Sequence, residues 1–87
     1  MTKGDIILPR FTREDMAESK LPIITVYNDR TIEYPGQFVA RLFDVAVPTR
    51  KVVIKPTLEE LRKCIPSHMM NLIREDLDAP EIIESYI

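Results

Sequence analysis

Two glycines, one cysteine and one histidine in 87 residues set the first limits on what this chain does. Gly4 and Gly36 stand too far apart to build a glycine-rich loop whose backbone amides cradle a phosphate, which excludes P-loop and Rossmann-type nucleotide binding. A lone Cys64 can form neither an intramolecular disulfide nor a CxxC pair, so a reducing, cytoplasmic setting is expected. Zinc sites take three or four ligands, drawn mainly from Cys and His, and the chain has one of each; no metal and no cofactor is expected. The apolar run near the start, Ile6-Ile7-Leu8, falls far short of the ~7–15 residues of a signal-peptide core or the ~20 of a membrane span. No repeat, low-complexity tract or Gly/Ser linker divides the sequence. One domain over residues 1–87 is expected, with residues 1–9 as a flexible or edge segment.

Charge of neither sign dominates. The formal net charge is −2 and the sequence pI about 5.3, which gives no global attraction to nucleic acid or anionic lipid. Hydrophobic residues make up 45% and charged residues 30%, the balance of a folded globular chain. A chain of this length buries only about 60–65% of the surface it exposes when unfolded, so its core is modest and a homodimer would support it.

Local patterns give a coarse reading of the elements. Thr12 and Asp15 fit a capping box, with Phe11 positioned to staple onto Met16, and predict a short helix over 13–19. The β-branched run Ile23–Tyr27, the turn residues Asn28-Asp29 and then Thr31–Tyr34 read as a short hairpin. Pro35-Gly36 suits a type II turn. Gln37–Val45 is the longest strand candidate, with Phe38, Ala40 and Leu42 on one face and Val39, Arg41, Phe43 and Val45 on the other. Both faces are largely apolar, as in an internal strand covered on both sides. Val47–Arg50 reads as a loop and Lys51–Lys55 as a returning antiparallel strand. Thr57 and Glu60 match the capping spacing for a helix over 58–64 that turns Leu58, Leu61 and Ile65 inward and stops before Pro66. The segment 67–74 fits either strand or helix, with strand preferred. The ending Glu81–Ile87 places Ile82 and Tyr86 on one face and Ile83 and Ile87 on the other.

Few side chains are arranged for chemistry. Cys64 and His68 are four apart, the spacing of a Cys/His dyad on a helix, but Pro66 interrupts that helix; the pair reads as a structural cysteine beside a loop histidine. Glu59 and Glu60 occupy a first helical turn, where carboxylates favour the helix dipole. No catalytic residue is expected, and the chain is read as a non-enzyme. Two charged groups remain as candidate contact surfaces. Arg41, Arg50, Lys51 and Lys55 lie on strands expected to pair and would form a basic patch at a hairpin end, suited to a partner protein or to nucleic acid. After Arg74 the charges are all acidic, namely Glu75, Asp76, Asp78, Glu81 and Glu84, which could dock on a basic partner face.

At Phe38–Asp44, at Pro48-Thr49 and along Val52–Pro66, with the ending Asp78–Ile87, the chain resembles uncharacterised small proteins of Gram-positive bacteria and their phages. The resemblance covers about the last 50 residues, contains no catalytic motif, and implies a bacterial or phage source. The expected architecture is α+β: an antiparallel sheet of four or five strands, one main helix at about 58–64 on one face, and a short N-terminal helix. The expected function is a small non-enzymatic protein-binding domain, a phage or bacterial effector that inhibits or modulates a host protein. The alternative is a nucleic-acid-associated regulator using the basic hairpin patch, a partner class that the acidic average argues against.

Overall fold

The alternating apolar residues around Ala40 make a strand that needs cover on both faces, and the computed structural model, which describes residues 4–72 and 81–87, places it inside a six-stranded mixed sheet. The elements in chain order are β1 (Ile6–Ile7), α1 (Arg13–Ala17), β2 (Pro22–Tyr27), β3 (Phe38–Asp44), β4 (Val47–Lys55), α2 (Leu58–Arg62), β5 (Asn71–Leu72) and β6 (Ile82–Tyr86). The sheet order is β1-β4-β3-β2-β6-β5. Only β1 runs parallel to its neighbour, pairing Ile6 with Lys51 and Ile7 with Val52; the other ladders are antiparallel.

Both helices begin where the caps predict. Thr12 and Asp15 close a full capping box, and the Thr57 hydroxyl accepts from the Glu60 amide at 3.2 Å. Each helix is a short one, and its stability comes from the side chains it sinks into the core. Met16 from α1 and Leu61 from α2 join Phe11, Ile65 and Met69 above Ile24, Val26, Ala40, Leu42 and Val53 of the sheet. Leu61 is fully buried, which contributes about 2 kcal/mol.

The other face of the sheet is closed differently. Its central row, Thr25, Arg41 and Val52, is paired across three strands, and Val39 and Val52 are buried. Residues 28–37 fold back against this face, so that Thr31, Glu33 and Tyr34 meet Tyr27, Val39 and Arg41 around a cleft of about 110 Å³.

Four expectations are corrected. The sheet is six-stranded and mixed, not an antiparallel sheet of four or five strands with one main helix over 58–64, because β1 and β5 are two-residue strands that leave no periodic pattern to read and because both helices are five residues long, the second ending at Arg62. Thr31–Tyr34 is not a strand. Local bonds hold the segment instead: Asn28 Oδ1 accepts from the Arg30 amide and Thr31 Oγ1 from the Tyr34 amide, and the Gly36 N–H donates to the Asp29 main-chain carbonyl. Val47–Arg50 is not a loop but the first part of β4; the chain reverses at Val45-Ala46, a turn without glycine, asparagine or aspartate. Finally, a register shift at Val26/Tyr27 lets Ile83 and Tyr86 both pack against the core, where strict alternation set them on opposite faces. Within 67–72 the strand reading holds for Asn71–Leu72 alone, and residues 73 and 74 lie outside the described residues.

Candidate functional site

The four basic residues do not gather at a hairpin end. Arg41 lies on the face covered by residues 28–37, where Nη1 and Nη2 donate to Asp5 Oδ1 and Oδ2, both at 3.0 Å, and Nη1 also to the Thr49 carbonyl at 2.9 Å. The Tyr34 hydroxyl donates to the same carboxylate at 2.7 Å. The side chains of Arg41 and Asp5 are only 12% and 4% exposed, so this is a buried pair. Hydrogen bonding to Asp5 raises the Arg41 pKa further above its ordinary value, against the opposing effect of burial. Lys51, beside Val52, points to the opposite face and bridges to Asp15 and Glu18 of the α1 segment at 3.1 and 2.9 Å. Arg50 lies against Gly4, and Lys55 pairs with Phe38 at the far end of β4.

The acidic group is divided too. Glu75, Asp76 and Asp78 lie outside the described residues. Glu81 is exposed at the entry to β6. Glu84 is buried, so it contributes nothing to an acidic surface. Its carboxylate accepts from Arg62 Nη2 at 2.6 Å and Nε at 3.2 Å, and from the Tyr86 hydroxyl. Burial pushes the Glu84 pKa up, but hydrogen bonds from Arg62 and Tyr86 outweigh it, and the net shift is downward. Burial and the bond to Glu84 push the Tyr86 phenol up to about 12. Alternation sets Glu84 on the same face as Tyr86, as their regular pairing with Val26 and Ile24 bears out, but it gives no sign that Arg62 of α2 covers that face.

Cys64 Sγ sits 3.4 Å from the Pro9 carbonyl and 3.5 Å from that of Glu60, two main-chain acceptors, while His68 is exposed. Among the described residues no three His, Cys, Asp or Glu side chains converge as a metal-binding group. No helix among them is long and apolar enough to cross a membrane. A second cleft beside residues 28–37, about 290 Å³, is lined by Tyr27 and by side chains of both signs, Arg30 against Glu33 and Glu81.

The surface feature that composition and spacing missed is the β3–β4 turn. Val45 holds φ = 58°, and among the described residues it is the only non-glycine at positive φ. A β-branched side chain strongly disfavours that region. The turn is nonetheless firmly anchored: Val45 N–H donates to the Leu21 carbonyl at 2.9 Å, and Asp44 Oδ1 accepts from the Lys20 amide at 3.0 Å. Leu21, Val45 and Val47 are left 43%, 51% and 66% exposed on this anchored tip. The only sequence signal was negative, since the two turn residues Val45 and Ala46 are ill suited to positive φ. Comparison with protein-family models, characterised proteins and solved structures gives no match.

Proposed function

We propose that this chain is a small non-enzymatic protein-binding domain that docks on its partner through the tip formed by Leu21, Val45 and Val47. The observation that carries the reading is the backbone of Val45. A β-branched residue at positive φ is destabilised by about 1–3 kcal/mol relative to a relaxed conformation. Packing does not offset this, because the Val45 side chain is about half exposed beside two other exposed aliphatic residues. A strained, rigid, apolar point gains from covering by another protein, and little ordering entropy is lost when the turn is already held by hydrogen bonds. With the likeness to small proteins of Gram-positive bacteria and their phages, the partner is a bacterial host protein whose activity the chain inhibits or modulates.

The nucleic-acid reading has less support, since Arg41 and Lys51 are engaged by Asp5, Asp15 and Glu18. Self-association through the tip would give a homodimer, and light scattering across concentrations separates that from binding a different protein. The test compares the native chain with Val45→Gly and with Leu21→Ser/Val47→Ser as bait in a Gram-positive lysate. A species retained by the native chain and by Arg50→Gln, but lost with both tip variants, is the expected result. Equal retention by all four baits would overturn the proposal.

A further inference from the structure

We infer that the cleft between residues 10–13 and 66–68 binds a small anion bearing a phosphoryl group. The inference does not depend on the tip. The cleft measures about 350 Å³, at the small end of the range of about 300–1,000 Å³ for ligand pockets. One wall carries Arg10, Thr12 and Arg13; the other carries Pro66, Ser67 and His68. No acidic side chain lines it, in a chain whose net charge is −2.

The two segments are tied to each other where Phe11 N–H donates to the Cys64 carbonyl at 3.0 Å, and the 66–69 turn is closed by Met69 N–H to the Pro66 carbonyl at 3.1 Å. Phe11, Ile65 and Met69 anchor both segments in the core at 2%, 9% and 8% exposure. The cleft is therefore formed before any ligand arrives, which lowers the cost of ordering it.

Its cations are available. The four ion pairs among the described residues involve Arg41, Lys51 and Arg62, and neither Arg10 nor Arg13 takes part. Guanidinium forks match the geometry of phosphoryl oxygens and can donate in pairs, and His68 adds a further ring N–H donor from the opposite wall. Thr12 is already engaged with Asp15, so its role is to shape the wall rather than to bind. Two permanently charged guanidinium groups with a third donor across the cleft suit a dianion better than a single carboxylate, which distinguishes phosphate from acetate.

The test is an amide-shift titration of the intact chain with inorganic phosphate at constant ionic strength. Acetate serves as the monoanion control, and phenyl phosphate as the organic monoester. Saturable shifts confined to residues 10–13 and 64–69 are expected, with acetate at least tenfold weaker. Tighter binding of phenyl phosphate than of inorganic phosphate would identify an organic monoester as the ligand type; the reverse order would identify free phosphate. Arg10→Gln/Arg13→Gln changes only exposed side chains and should weaken phosphate binding at least tenfold with an unchanged fold spectrum. Arg50→Gln/Lys55→Gln removes the same charge elsewhere and should leave binding unaltered. Non-saturating shifts, shifts spread over the surface, equal binding of acetate, or equal weakening by the two double variants would each overturn the inference.

Discussion

Val45 is the residue at which sequence and backbone disagree most, and replacing it should strengthen the fold. Val45→Gly relieves strain of about 1–3 kcal/mol and adds about 0.5–1 kcal/mol of chain entropy to the unfolded state, so a net gain of about 1 kcal/mol is expected in urea unfolding. Arg41 behaves in the opposite way. Arg41→Gln leaves the Asp5 carboxylate buried with Tyr34 but without its cation, and should cost about 3 kcal/mol. Asp5→Leu/Arg41→Leu removes both charges and should be the more stable of the two variants, which the same unfolding curves would reveal. Glu84 and Tyr86 set two pH limits. The Glu84 pKa is lowered on folding, so its contribution is present above its ordinary value of 4.5 and is lost as pH falls through the still lower folded value. The Tyr86 pKa is raised, so its contribution is complete below 10 and is lost as pH rises from there toward about 12. Glu84→Gln should flatten the acid limb of stability against pH, and Tyr86→Phe the alkaline limb.

The helices were the most legible elements, because their starts are written in side chains that act on their own backbone. Thr12 with Asp15 and Thr57 with Glu60 need nothing distant to do their work. Thr57→Ala should accordingly cost about 1 kcal/mol, or about 4–8 °C in Tm for a domain of this size, readable by thermal circular dichroism. Strand β3 was legible for a related reason: its alternation reports cover on both faces, and the core face carries Phe38, Ala40 and Leu42 as expected. The hairpin read into 23–34 failed because both flanks of β2 are claimed by distant strands, β3 and β6, leaving residues 28–37 to satisfy themselves locally. Of the candidate contact residues, the types were readable but the faces were not. Arg41 and Lys51 are ten apart in sequence and on opposite sides of the sheet, a separation fixed by pairing across strands.

In the whole molecule, β6 lies between β2 and β5 although it comes last among the elements in chain order. Removing residues 82–87 would strip β2 of one neighbour and β5 of its only partner among the described strands, together with Glu84 and Tyr86. Loss of a cooperative thermal transition is expected for that truncation, whereas a chain cut only at Ile87 should still melt as one unit. The second face of the sheet has a different vulnerability. Ile23, Val39, Phe43, Val52 and Ile54 lie on the side away from the helices, and one polar knot of Asp5, Arg41 and Tyr34 fastens the N-terminal segment and residues 28–37 over its centre. That knot is a latch on an adhesive surface. Loosened by substitution, it would bare a sticky aliphatic sheet while the helix-covered core was still intact, so such a chain would fail first as a colloid, clumping at concentrations where its spectrum still reads as folded.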